Sequence, residues 1–177
     1  MELAQIELLV IDAKQGDKAA FTQLCRYFHP SLLRYSYKLC NDVQLAHDAV
    51  QNSWIKITKS ILKIEDPRAF RSWIYQSVKW QTLDLIRKDQ RDKQRLSEID
   101  VDELSADEDK NNSGYLLAHI AELSDIDKQA IHLFYLDNMS IEEISIVLEV
   151  PIGTVKSRLY RARQMLKDKM RRINHEH

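Results

Sequence analysis

The chain has 177 residues and a formal net charge of −1, and 44% of its residues are hydrophobic, so it can pack one or two small cores. It has only three glycines and three prolines, which favours long helices over many short strands. Its apolar runs are too short for a membrane span, and Cys25 and Cys40 do not form a CxxC pair. We therefore expect no membrane insertion and a reducing, cytoplasmic location.

The N-terminal part of the chain has the apolar spacing of helices. We predict a short helix over residues 2–13 and a second helix that begins after Asp17, whose side chain can cap it. Pro30 should end or kink this second helix, because proline lacks the backbone N–H that a helix interior needs. Residues 31–40 should then continue as helix.

Two longer helices are predicted next. Asn41 or Asp42 should cap the third helix, and Asp66 followed by Pro67 is typical of the start of a fourth. The apolar stripes expected on these helices are Ala46, Val50, Trp54, Ile57 and Ile61 on the third, and Phe70, Trp73, Ile74, Ser77, Gln81 and Leu85 on the fourth.

From about Asp89 onward the apolar period is lost, and residues 97–112 contain seven acids and one base. We interpret residues 96–114 as an acidic, flexible linker between a domain at 1–95 and a domain at 115–177. Limited proteolysis is expected to cut first between about Asp89 and Gly114.

The C-terminal part predicts helices at 115–123, 127–137 and 141–148, and a long helix from Pro151 to about Arg172. Ser124 and Ser140 each begin a capping-box pattern. The last two helices have the outline of a helix-turn-helix, whose second helix enters the DNA major groove. That second helix carries eight basic residues and one acid, the charge that phosphate binding needs.

Residues 152–163 read IGTVKSRLYRAR. This motif resembles the signature GTVKSRLxRAR of extracytoplasmic-function (ECF, group IV) sigma factors, and two further motifs resemble the same family. Residues 48–54, DAVQNSW, resemble the segment that docks on core RNA polymerase. Residues 66–75, DPRAFRSWIY, followed by Asp84 and Arg87, resemble the segment that melts and reads the −10 promoter element.

The resemblance implies an all-α protein of two helical domains and an alternative sigma factor that binds core RNA polymerase and directs promoter-specific transcription initiation. The implied partners are core RNA polymerase, promoter double-stranded DNA, its melted non-template strand and an anti-sigma factor. No cofactor, metal or catalytic activity is expected. The acidic linker is interpreted as a solvated tether or as a mimic of RNA in the polymerase channel.

The resemblance also assigns site residues. For polymerase binding these are Asp48, Gln51, Asn52 and Trp54; for the −10 element, Trp73, Tyr75, Lys79, Trp80, Asp84 and Arg87; and for the −35 element, Thr154, Lys156, Ser157, Arg158, Tyr160, Arg161 and Arg163. A core role stays open for Trp54, Trp73 and Trp80, and a solvated helix end stays open for Arg87.

Two positions depart from the family pattern. Trp80 stands where the family usually has asparagine, and tryptophan can only donate one hydrogen bond or stack. Glu149 stands in the helix-turn-helix turn where glycine is common, so we expect backbone strain or a shifted turn.

Two other functions remain as alternatives. One is an ordinary helix-turn-helix regulator with an N-terminal interaction domain, which need not bind core polymerase. The other is a nucleic-acid-modifying enzyme, which would need a catalytic set, and we identify none in the sequence.

Overall fold

The computed structural model describes residues 1–97 and 124–175. The chain divides into two compact units, Met1–Arg91 and Asp92–His177. All regular secondary structure in the described ranges is helical, which confirms the predicted fold class. Most of the predicted linker and the whole predicted helix at 115–123 lie outside the described residues.

The first unit contains the four predicted helices. They are α1 (Leu3–Lys14), α2 (Lys18–Cys40), α3 (Val43–Ser60) and α4 (Phe70–Ser97), with short 3-10 turns at Ile61–Lys63 and Pro67–Ala69. Helix α2 lies between α1 and α3 and contacts both. Helix α4 continues to Ser97, beyond the residue where the apolar period is lost.

Helix α2 continues through Pro30, so the alternative that this proline ends the helix is wrong. Phe28 and Leu32 flank the proline and are both buried in the same core. Burying both side chains on one side of α2 requires the helix to continue between them. Packing therefore outweighs the hydrogen bond that proline removes.

The polar residues at the helix starts act as predicted. Asp17 accepts hydrogen bonds from the backbone N–H groups of Ala19 and Ala20, at 2.7 and 3.2 Å. Asp42 caps α3 by accepting from the N–H of Leu45 at 2.9 Å. Asn41 has a left-handed φ of 52° and ends α2, so Asp42 is the cap of the two candidates.

Helix α4 is attached to α2 by aromatic and hydroxyl contacts. The rings of Tyr35 and Tyr75 lie 5.5 Å apart, and the buried hydroxyls of Ser36 and Thr82 lie 2.7 Å apart. The buried stripe of α4 differs from the predicted one. Its residues are Phe70, Ser72, Ile74, Tyr75, Val78, Lys79 and Thr82, whereas Trp73, Ser77, Gln81 and Leu85 are half-buried.

The second unit contains α5 (Asp125–Ile131), α6 (Ile141–Leu148) and α7 (Ile152–His175), with a π-helical turn at His132–Leu136. The helix predicted over 127–137 is confirmed as a continuous helical run, but it starts two residues earlier, at Asp125, and its second half is π-helical. The N–H of Asp137 donates to the carbonyl of His132 at 3.2 Å, and the two side chains approach to 3.3 Å.

Glu149 adopts the left-handed conformation, with φ of 58°, and ends α6. The turn is thus not shifted, and the expected backbone strain is present at this residue. Glu149→Gly should raise the free energy of unfolding of this unit by about 0.5–1 kcal/mol, because glycine adopts this φ without a Cβ clash.

This change in stability is measurable by denaturant unfolding of the full chain. Ser140→Ala is the opposite control, since Ser140 forms a complete capping box with Glu143 and its loss should cost about 1 kcal/mol. A lower stability for Glu149→Gly would contradict the assignment of strain.

Candidate nucleic-acid and protein interfaces

Helices α6 and α7 form a helix-turn-helix with a common apolar contact. The buried residues are Ile144, Val147 and Leu148 on α6, and Val155, Leu159 and Ala162 on α7. The turn between them is closed by two hydrogen bonds. The N–H of Val150 donates to the carbonyl of Ser145 at 3.2 Å, and the Ser145 hydroxyl donates back to the carbonyl of Val150 at 2.6 Å. This turn fixes where α7 begins.

The opposite side of α7 faces solvent. Lys156, Ser157, Tyr160 and Arg161 are all exposed, and Thr154 is half-buried. These four exposed residues recur at spacings that share one helix side. The structure therefore brings together the predicted base-reading residues of α7.

Helix α6 adds a negative group beside this surface. The pKa of the Glu142 carboxyl lies below its ordinary value because it accepts a hydrogen bond from its own backbone N–H and one from the Ser140 hydroxyl, and because the Lys156 charge is near. Lys156 therefore has a carboxylate near it on the neighbouring helix.

Two predicted α7 contacts are instead engaged within their own unit. Arg158 is 19% exposed, and its Nη1 donates to Oδ1 of Asp127 at 3.1 Å. The Nε of Arg163 donates to the Tyr135 hydroxyl at 2.6 Å, and its guanidinium lies 5.4 Å from the Phe134 ring centre. The charge of these arginines could be counted from the sequence, but their partners could not.

The residues predicted for the −10 element divide between the two sides of α4. Tyr75 and Lys79 are buried. Trp80 is exposed, and an exposed ion pair joins Asp84 to Arg87 at 3.2 Å. Trp73, which is half-buried, lies on the same helix side as this exposed group. The remaining surface of α4 consists of Trp73, Trp80, Asp84 and Arg87.

The predicted polymerase-binding residues of α3 also divide. Asp48, Gln51 and Asn52 are exposed on one side. Trp54 is only 9% exposed and packs edge-on against Phe21, with ring centres 5.8 Å apart. The structure therefore assigns Trp54 to the core, one of the two roles that the sequence left open.

Sequence reasoning missed Ile55. Its side chain is 50% exposed, and it lies seven residues after Asp48, two helical turns along the same side of α3. The spacing was visible in the sequence, but an isoleucine next to a tryptophan gives no sign of which one is buried.

Within the described ranges, no group of three His, Cys, Asp or Glu side chains is placed to hold a metal ion. No helix among these residues is long and apolar enough to cross a membrane.

Comparison with protein families gives two matches. Residues 24–92 match the family described as Sigma-70 region 2, and residues 113–166 match Sigma-70, region 4. The first match runs from within α2 to within α4, and the second includes α6 and the first part of α7.

Curated relatives match over nearly the whole chain. The ECF RNA polymerase sigma factor SigW of Bacillus subtilis is 28% identical over 94% of this chain and 97% of its own length. The ECF RNA polymerase sigma-E factor of Salmonella typhimurium is 30% identical, and the match covers 93% of each protein.

Two solved structures share the fold. CnrH, in complex with the cytosolic domain of CnrY, gives a TM-score of 0.68 at 20% identity, over 94% of this chain and 97% of that one. The sigma factor RpoE in complex with the anti-sigma factor NepR from Bartonella quintana gives 0.65 at 22% identity, over 85% and 96%.

The helix-turn-helix, the order of the two matched regions and the relative at 30% identity all agree. The chain belongs to the ECF RNA polymerase sigma factor family and is an alternative sigma factor that directs promoter-specific transcription initiation.

Proposed function

We propose that α7 of this sigma factor reads the −35 element, that α4 reads and melts the −10 element, and that α3 docks on core RNA polymerase. The observation that carries the proposal is the division of α7 into two sides. Val155, Leu159 and Ala162 are buried, whereas Lys156 and Arg161 are exposed. This leaves a basic surface of the width that a major groove admits.

On α7, Lys156, Ser157, Tyr160 and Arg161 are the proposed base-reading residues. The Ser157 hydroxyl donates to the carbonyl of Thr154 at 2.9 Å, so it can still accept a bond from a base. Arg158 and Arg163 hold α7 in place through contacts within their own unit, and the exposed Lys167 supplies phosphate attraction.

On α4, the proposed surface for the −10 element is Trp73, Trp80, Asp84 and Arg87. An exposed indole such as that of Trp80 favours stacking on an unpaired base of the melted non-template strand. Lys79 lies 5.3 Å from the Trp80 ring centre and supports it from the buried side. Tyr75 and Lys79 therefore act by packing in this proposal.

On α3, the proposed docking surface consists of Asp48, Gln51, Asn52 and Ile55. It combines an exposed aliphatic side chain with polar groups, as a protein interface requires. Trp54 supports this surface from the core, where it contacts Phe21.

The proposal extends to the wider setting of the protein. We place it in the group IV subclass and in the cytoplasm, as a binding factor with no reaction of its own. An anti-sigma factor is a proposed partner, because the RpoE structure contains one. The domain limits 1–95, 96–114 and 115–177 are retained as part of the proposal.

In vitro transcription tests the whole proposal. Core RNA polymerase with this protein should start transcripts at a defined subset of a random promoter library, and core alone should not. An ordinary helix-turn-helix regulator would bind DNA but leave core polymerase inactive on the same library, which would contradict the proposal.

Arg161→Ala should relax sequence preference at one or two base pairs of the −35 element, by about 1–3 kcal/mol for a good guanine contact. Lys167→Ala should instead weaken binding to all sequences about equally and lower the salt slope by about 1. Holoenzyme binding to a promoter library at two salt concentrations separates these effects. A uniform loss for Arg161→Ala with unchanged preference would exclude a base-reading role.

Gln51→Ala combined with Ile55→Ala should weaken core polymerase binding by about tenfold, because the two substitutions remove contacts from the proposed docking surface. The matched control is Gln23→Ala with Leu8→Ala, which truncates an exposed glutamine and an exposed leucine elsewhere. Equilibrium binding to core polymerase, with circular dichroism as a folding check, gives the answer. Equal affinities for the two double variants would remove α3 as the docking helix.

A further inference from the structure

Asp127 is a carboxylate held in one position. It lies in the first turn of α5, and its side chain is 12% exposed. The Ser124 hydroxyl donates to its Oδ2 at 2.7 Å, and the same hydroxyl oxygen accepts from the Asp127 backbone N–H at 3.3 Å. Oδ1 is left to interact with other groups.

Oδ1 of Asp127 faces two arginines of α7. It accepts from Nη1 of Arg158 at 3.1 Å and lies 3.8 Å from Nη2 of Arg161. The Nε of Arg158 is buried with no acceptor among the described residues. The buried charge of this guanidinium is therefore balanced by the Asp127 carboxylate. The Arg161 side chain is 62% exposed and so is reachable by DNA while it remains beside the carboxylate.

We propose that Asp127 is a specificity-determining positioning residue for the −35 element. Its carboxylate is held in place by Arg158, and it in turn holds the guanidinium of Arg161 in the orientation that reads a base. The proposal rests on the assignment of α7 as the reading helix. Arginine has many rotamers, and restricting them before binding lowers the entropic cost of a directed contact.

The second effect of Asp127 is on charge. A guanidinium paired with a carboxylate attracts phosphate less than an unpaired one, because phosphate attraction is set by net positive charge. Asp127 therefore favours base reading over non-specific binding in two ways. Its loss should lower sequence preference while leaving affinity for unrelated DNA unchanged or higher.

The chain provides a matched control two residues away. Asp125 lies in the same helical turn, but its side chain is 92% exposed and pairs with Lys128 at 3.6 Å. Asp125→Asn and Asp127→Asn remove the same charge from the same helix. Only the second removes a carboxylate that faces α7.

The test measures holoenzyme binding to a −35 library for the full chain and for Asp127→Asn, Asp125→Asn, Arg161→Ala and the double variant Asp127→Asn with Arg161→Ala. Asp127→Asn should lose about tenfold in preference at the same base pair that Arg161→Ala affects. The double variant should lose no more than Arg161→Ala alone, since the two residues act as one unit. Asp125→Asn should keep the wild-type preference.

Asp127→Asn leaves the buried Arg158 without its carboxylate and can weaken folding. Asp127→Asn with Arg158→Met removes that buried charge and still deprives Arg161 of its partner, so it should show the same loss of preference in a folded protein. A purely structural role of Asp127 would instead reduce binding to all sequences together, and this result would overturn the proposal.

Two further results would overturn the proposal for Asp127. One is that the effects of Asp127→Asn and Arg161→Ala on preference add, and the other is that Asp127→Asn behaves as Asp125→Asn does. In both cases, if the wild-type protein prefers certain −35 sequences and Arg161→Ala removes that preference, the assignment of α7 as the reading helix still stands. A wild-type holoenzyme with no −35 preference would overturn both that assignment and the role of Asp127.

Discussion

The contact between α6 and α7 determines which side chains the protein can offer to DNA. Val155, Leu159 and Ala162 of α7 are all buried within the second unit. Rotating α7 about its axis by one residue would expose these apolar groups and bury charged ones, which is costly in both directions. Only one rotation is therefore stable, and it directs Lys156 and Arg161 to solvent. The basic surface is a consequence of apolar burial.

The same constraint acts in the first unit, where it separates neighbouring residues with different roles. On α3, the core takes Trp54 and leaves Ile55 exposed. On α4, Thr82 contacts Ser36 on the buried side, which includes Tyr75, whereas Trp80 is exposed. In each helix a shift of one residue changes which groups can meet a partner, because successive residues differ by 100° about the axis.

Charge is distributed by a second set of contacts. Arg158 is neutralised by Asp127, and Arg163 lies on Phe134 and bonds to Tyr135. These contacts use two of the cations of α7 to hold the helix against α5 and the π turn. Among the described side chains, Lys156 and Arg161 remain exposed on the side opposite the buried residues of α7.

The sequence by itself determined the helical class, the order of the first four helices, the cap at Asp17 and the helix-turn-helix, because these depend on local spacing and on side chains near their own backbone. It also identified the sigma-factor family from contiguous motifs. Only the tertiary structure decided the π turn at His132–Leu136, the burial of Trp54 and the pairing of Asp127 with Arg158. Each of these depends on which distant side chains meet: Asp127 and Arg158 are 31 residues apart in the chain, and no local pattern relates them.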